Sequence, residues 1–310
     1  MPIDNITKAV EILRAGGLVA IPTETVYGLG ADASNPEALR KIFLAKQRPM
    51  DHPLIVHLAE IAQLSQWVKE IPESALKLAR AFWPGPMTMI FKKAPGVLDL
   101  VTGGQDTVGI RIPNHPIAQI LLKAFNGGIA APSANRFGRI SPTTAEAVRE
   151  ELGDAVDLVL DGGQCEVGVE STIIDVSGEQ PTILRPGMIT AAQITAVLHQ
   201  SVAAKKKDAP RVSGSHESHY APVTKTRLIS STEIAQLTEQ DMPFVVVGFA
   251  ENSIGKSVVM PRDAKLYAHD LYQVLRDLDK RKFRQIIIES VPEGGEWDAV
   301  RDRLQRAASC

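Results

Sequence analysis

Cysteine is scarce, with Cys165 and Cys310 the only two in 310 residues. Two isolated thiols, one of them at the last position, supply neither a disulfide framework nor a four-cysteine zinc site. An excess of charge of one sign is missing as well. Lys plus Arg number 34 against 36 Asp plus Glu, a formal net charge of −2, with 17 against 21 in residues 1–200 and 17 against 15 in residues 201–310. Non-specific nucleic-acid binding usually rests on bulk positive charge, so only a local basic pocket stays open. No apolar run approaches the roughly 20 residues that span a bilayer. The first residues carry neither a charged nor an apolar leader segment, and no segment repeats. A soluble, cytoplasmic protein without membrane attachment is expected.

The composition is 44% hydrophobic and 23% charged, enough apolar material for one large domain or two smaller ones. Ile6, Val10 and Leu13 predict a first helix stopped by Gly16-Gly17. Pro36 can open a second, with Leu39, Ile42 and Phe43 inward, ending near Lys46 because Pro49 disfavours a helical residue before it. Strands are expected at 18–21, 54–58, 87–91, 108–112, 129–131, 158–160 and 172–176, with helices at about 73–82, 115–125, 143–152 and 190–199 between or after them. Residues 201–225 lose apolar periodicity and read as an extended linker. Beyond it, strands at 244–249 and 285–289 and one helix face of Leu266, Leu271, Val274, Leu275 and Leu278 predict a smaller α/β unit. The expected division is therefore a mixed α/β domain over 1–200, a linker over 201–225 and a small α/β domain over 226–310.

Several clusters are candidates for chemistry. The run Ile21-Pro22-Thr23-Glu24-Thr25-Val26-Tyr27-Gly28-Leu29-Gly30 reads as a buried strand that delivers a polar loop to a cleft. Its glycines are expected to turn the backbone sharply where a side chain would crowd a ligand. Lys46-Gln47-Arg48-Pro49 puts two cations at a helix end, where they either complement the helix dipole or hold an anion. Ser133 and Asn135, after Ala131-Pro132, would point the same way in an extended segment. Ala250 to Ser257 matches a relaxed phosphate loop, which needs a helix directly after Lys256. Val258-Val259-Met260-Pro261 suits a strand and a turn instead. His216 and His219 lack the further ligands a zinc site needs, and Lys205-Lys206-Lys207 reads as a solvated linker segment.

Taken together, Pro22 to Leu29, Lys46-x-Arg48-Pro49, Pro53-Leu54 with His57, Ser133-x-Asn135, Leu184-Arg185-Pro186-Gly187 and His219-Tyr220-Ala221-Pro222 resemble the YrdC-like threonylcarbamoyl-AMP synthases in their long two-domain form. The resemblance implies a YrdC-like twisted mixed sheet with flanking helices, followed by a Rossmann-like C-terminal unit. It also implies a reaction: L-threonine, bicarbonate or carbon dioxide, and ATP with Mg²⁺ become threonylcarbamoyl-adenylate and pyrophosphate. The product feeds threonylcarbamoylation of the tRNA adenosine beside the anticodon through a separate transferase complex, so tRNA contact is weak or indirect.

By the same resemblance, Thr25, His57, Arg111, Ala131 and Ser171 fall where the family contacts threonine. Arg48, His52, Thr107, Ser133, Ser141, Arg185 and Tyr220 fall on the ATP side, and Lys46, Arg48, Ser133 and Asn135 carry the chemistry. His52 stands where many relatives have Asn, and the C-terminal unit is short for the long form. Tyr220, on the linker, is expected to close over the nucleotide, so that Tyr220→Ala would weaken ATP retention and leave the melting temperature nearly unchanged. Two other functions remain as alternatives. One is the related carbamoyl transferase of hydrogenase maturation, whose zinc-type cysteine pairs this chain lacks, and the other is an RNA-binding module using a basic pocket.

Overall fold

The computed structural model describes residues 3–203, 209–214, 220–238, 243–252, 255–281 and 283–309. Lys205 to Lys207, His216 and His219 lie outside the described residues. The first unit runs α1 (Ile3–Arg14), β1 (Val19–Ile21), β2 (Gly28–Asp32), α2 (Pro36–Lys46), β3 (Ile55–His57), α3 (Glu73–Phe82), β4 (Met87–Lys92), α4 (Asp99–Thr102), β5 (Thr107–Arg111), α5 (Pro116–Phe125) and β6 (Ile129–Ala130). It continues through α6 (Ala145–Leu152), β7 (Leu158–Val159), β8 (Thr172–Asp175), β9 (Thr182–Arg185) and α7 (Ala191–Leu198). Its strands form one mixed nine-stranded sheet in the order β7-β1-β2-β6-β3-β5-β4-β8-β9.

Strand alternation decides which side chains reach the site. Leu29 and Ala31 of β2, Val56 of β3, Met87, Met89 and Phe91 of β4, and Val108 and Ile110 of β5 enter one apolar cluster with α2, α3, α6 and α7. Their neighbours must then face the other way. His57 pairs with Arg111 across β3 and β5, and Arg111 with Thr88 across β5 and β4, giving a polar row over three adjacent strands. Helices α1 and α5 close a separate apolar cluster near β1 and β6.

Helix α2 shows the local logic. Asn35 accepts from the amides of Glu37 and Ala38, Pro36 sits in the first turn, and Gln47 ends the helix at φ 52°. The side-chain cap contributes about 1 kcal/mol. Gly28 and Gly30 need a different explanation from a sharp turn, because both lie within β2 and neither has a positive φ. A Cβ on Gly30 would sit 2.5 Å from Ile21 Cδ1, and one on Gly28 would sit 3.1 Å from Ala131 Cβ. Close strand packing, and not a turn, requires glycine there.

The second unit comprises β10 (Thr226–Ile229), α8 (Ser231–Ile234), β11 (Phe244–Gly248), β12 (Lys256–Val259), α9 (Ala264–Lys280), β13 (Gln285–Glu289) and α10 (Asp298–Ala307). Its four strands are parallel in the order β10-β13-β11-β12. Because β12 starts at Lys256, no helix follows that lysine and the phosphate-loop pattern has no structural basis. On α9, the inward stripe is Ala264, Tyr267, Ala268, Leu271, Tyr272, Leu275 and Leu278. Leu266 is 57% exposed, one position out of phase, which corrects its expected place on that face. The core of this unit also takes in Val26, Ile140, Val169 and Tyr220, so one apolar cluster is continuous across both units and the linker.

Candidate active site

The cleft opens over the polar row and encloses about 530 Å³ of empty space, its mouth included. The loop after β1 supplies one wall. Thr23 Oγ1 donates to the Val26 carbonyl at 2.6 Å, while the amides of Thr25 and Val26 donate to Thr23 Oγ1, which locks the loop against itself. Arg111 Nη1 donates to Thr25 Oγ1 at 2.7 Å, and Arg111 Nη2 lies 2.8 Å from Glu24 Oε1 as an ion pair without hydrogen-bond alignment. His57 lies near the Ile55 carbonyl through Nδ1 at 3.3 Å. A carbonyl only accepts, so Nδ1 carries the proton there and Nε2 is left as an acceptor.

The cleft carries two more cations, Arg185 at the end of β9 and Arg48 just after α2. Arg185 donates through Nε and Nη2 to the Ser171 carbonyl at 3.1 and 2.8 Å, and through Nη1 to the Ser213 carbonyl. Arg48 donates to the Pro53 carbonyl at 2.9 Å and to Ser213 Oγ at 3.3 Å, and its buried Nε has no hydrogen-bond partner among the described residues. Lys46 lies behind this wall, 1% exposed, and Nζ donates to the carbonyls of Ser133 and Asn135, both at 2.5 Å. It is a strut between α2 and the loop after β6, which removes the dipole-complement reading of a solvated helix end.

Burial dominates the titration of these groups. It draws the Lys46 pKa well below its ordinary value, with Arg48 adding repulsion. Arg48 is brought down to about 10 and still carries its charge at neutral pH. His57 is pulled down to about 3 by burial and then by Arg111, so it is neutral at working pH. Burial alone would raise Glu170, but Arg303 and Arg185, with the Ser141 hydroxyl, hold it below the usual carboxylate range. Among the described residues, Arg48, Arg111 and Arg185 line the cleft against one lining carboxylate, Glu170, which is itself paired with Arg303 at 2.7 Å. The cleft is therefore built for an anion.

Residues 11–187 match the family model described as telomere recombination (Sua5/YciO/YrdC), and residues 189–309 match that of the threonylcarbamoyl-AMP synthase C-terminal domain. The chain belongs to the Sua5/YciO/YrdC family. It is the long two-domain form. The threonylcarbamoyl-AMP synthase of Pyrococcus abyssi is 38% identical over 98% of this chain and 94% of its own, and that of Bacillus subtilis is 39% identical over 98% and 93%. The crystal structure of P. abyssi Sua5 complexed with L-threonine superposes with a TM-score of 0.92 at 37% identity, covering 98% of this chain and 94% of that one.

Within this Sua5-like frame, Thr25, His57, Arg111, Ala131 and Ser171, expected on the threonine side, all line the cleft. Arg48, Ser133, Arg185 and Tyr220, expected on the ATP side, line it too. The rest stand apart. Ser141 lies behind the wall and donates to Glu170 Oε1 at 2.5 Å, Thr107 lines an adjoining groove beneath Val212 and Ser213, and the His52 ring meets Phe137 edge-on at 5.0 Å. Asn135 and Ser133 do not point together. The chain bends at Ala134-Asn135, and Asn135 Nδ2 donates to the carbonyls of Arg136 and Arg139.

Tyr27 braces the wall, donating to the Gly163 carbonyl at 2.9 Å. Tyr220 corrects a larger expectation. It lines the cleft, yet it is 1% exposed, stacked on Tyr272 at 5.8 Å and under Arg303 at 5.0 Å, so its replacement by alanine is not expected to leave the melting temperature unchanged. Sequence reasoning missed Glu170, Ser213 and Arg303. Glu170 directly precedes Ser171 and was open to suspicion, whereas Arg303 lies in a polar helix with no motif.

Proposed function

We propose that this chain is a threonylcarbamoyl-AMP synthase acting in the first step of tRNA threonylcarbamoyladenosine formation. The threonine amine, as its free base, takes up carbon dioxide with release of a proton to solvent, or bicarbonate with loss of water, to give a carbamate. A carbamate oxygen then attacks the α-phosphorus of ATP, and pyrophosphate leaves. Two anions must be brought together, so fixed cations lower the barrier by position and charge.

The observation that carries the reading is a single cleft lined by Arg111, Thr25 and His57 together with Arg48 and Arg185. Arg111 suits the threonine carboxylate, since Nη2 keeps a donor outside hydrogen-bond alignment with Glu24. Neutral His57, with Nε2 as an acceptor, suits the threonine hydroxyl or amine. Arg48 and Arg185 suit the phosphates, where an arginine fork holds two oxygens. Lys46 supports Ser133 by its hydrogen bonds to the loop carbonyls and acts as a positioning residue.

Mg²⁺ belongs to the nucleotide in this reading. Among the described residues no group of three His, Cys, Asp or Glu converges, and Glu24 and Glu170 are each paired with an arginine. Among the described residues, therefore, no set of side chains fits a resident ion, and no step is routed through one. The product passes to a separate transferase that modifies tRNA in the cytoplasm, with tRNA contact by this chain weak or indirect. Among the described residues no helix is long and apolar enough to cross a membrane.

Pyrophosphate release measured with ATP, Mg²⁺, bicarbonate and each amino acid in turn tests the proposal. Release that depends on threonine and on bicarbonate is expected. Release indifferent to the amino acid, or RNA binding with no release, overturns it.

A further inference from the structure

The C-terminal unit reaches the cleft through Arg303 on α10. Its side chain is fully buried, with Nε donating to Glu170 Oε2 at 2.7 Å, Nη1 to the Pro186 carbonyl at 3.2 Å and Nη1 to Asp302 Oδ2 at 2.6 Å. The two segments it grips are the ones that carry Ser171 and Arg185. Glu170 accepts from two further side chains: Ser141 donates to Oε1, and Tyr272 of α9 donates to Oε2 at 2.9 Å. We infer that Arg303 is a positioning residue for the reaction, which holds the Glu170 carboxylate and thereby leaves the Arg185 guanidinium available to an anionic substrate. The inference rests on the reading of Arg185 as a cation for the ATP phosphates.

Glu170 and an incoming phosphate compete for one cation. Glu170 and Arg185 line the same cleft, and Arg185 Nη2 donates to Ser171 Oγ, one residue from Glu170, at 3.2 Å. With Arg303 removed, Glu170 is a buried carboxylate without its partner, and Arg185 is the next cation, after Arg303, that lowers its pKa. Buried charges do not remain unpaired, so Glu170 captures Arg185 and an incoming phosphate must displace it. With the carboxylate removed as well, the competitor is gone and Arg185 keeps only its neutral Ser171 and Ser213 partners.

Docking of the two units does not depend on Arg303 alone. Arg276 donates to the Ile140 carbonyl at 2.8 Å and pairs with Glu151 at 3.3 Å, His269 Nδ1 lies 2.9 Å from the Glu166 carbonyl, and the apolar cluster spans the boundary. A role as plain interface glue predicts something different. Arg303→Met and Arg303→Met/Glu170→Gln would then be equally weak, and ATP and threonine would suffer alike.

Equilibrium binding of ATP and of L-threonine to the full chain, by calorimetry, separates these. The expected result is ATP affinity reduced about tenfold or more in Arg303→Met, threonine affinity changed by less than about threefold, and ATP affinity restored to within about threefold of wild type in Arg303→Met/Glu170→Gln. A double variant as weak as the single one, or equal losses for both ligands, overturns the inference. Should Arg303→Met not fold, the double variant decides: ATP binding near wild type supports the inference, and a loss of about tenfold defeats it. The readout is distinct from turnover, so absent pyrophosphate release in wild type with the ATP pattern intact would count against the synthase reading and not against the role of Arg303.

Discussion

Replacing Tyr220 by alanine tests most sharply how the linker joins the two units. The ring is 1% exposed, stacked on Tyr272 at an interplanar angle of 27° and covered by the Arg303 guanidinium. Truncating a large buried aromatic to alanine costs about 3–5 kcal/mol through lost burial and the cavity left behind. Stacking supplies about 0.5–1.5 kcal/mol of this. The backbone at Tyr220 has φ 62°, a conformation that alanine tolerates no better, so no strain is relieved in return. Urea denaturation of the full chain should show a loss of about 3–5 kcal/mol for Tyr220→Ala, with most of it recovered in Tyr220→Phe, which keeps the ring. A loss below about 1 kcal/mol together with weakened ATP binding would refute the reasoning, because the ring would then be a flap as its linker position suggests.

Three other outcomes are expected. Arg111→Met strands the Glu24 carboxylate, which is 4% exposed, and should cost about 3–5 kcal/mol in denaturation. Arg111→Met/Glu24→Gln should recover much of the stability while threonine binding stays lost in calorimetry. His57 is held neutral down to about pH 3, whereas the unfolded chain protonates it near 6.5. The unfolded state therefore binds the extra proton across that window, and stability falls as pH drops from 6.5 to about 3 by at most about 1.4 kcal/mol per pH unit from this group. His57→Gln should flatten that part of a stability-against-pH curve, and the threonine KM of the wild type should show no break near pH 6.5. Gly168, at φ 81°, lies where a Cβ would come 2.4 Å from the Ala268 carbonyl of α9. Gly168→Ala should push the loop before Glu170 off α9, costing about 1–3 kcal/mol in denaturation and lowering pyrophosphate release.

Much of the first unit could be read from the chain because its signals are local. Alternation in β4 and β5, Pro36 after Asn35, and the apolar spacing of α2 and α3 each point to the elements that form. Strand β2 was illegible because Gly28-Leu29-Gly30 carries a turn composition, and its reason is a tertiary one, the approach of Ile21 and Ala131. Helix α10 was illegible for the opposite reason: its charged residues look solvated, yet Arg303 is 1% exposed because Glu170, 133 positions earlier, receives it. The cleft itself was legible in its residue types. Which of them face the ligand was not. Lys46 and Ser141 are turned to carbonyls and to Glu170 by contacts far apart in sequence, and Tyr220 sits in a core that no linker composition announces.

Product analysis by mass spectrometry decides whether this chain makes the threonylcarbamoyl adenylate. Purified protein is given ATP, Mg²⁺, L-threonine and isotopically labelled bicarbonate, and the nucleotides are separated at once. A new species is expected with the mass of AMP joined to a threonylcarbamoyl group, carrying the label in its carbamoyl carbon and absent when threonine is omitted. Formation of ADP alone, or of an adenylate without the label, would contradict the synthase reading.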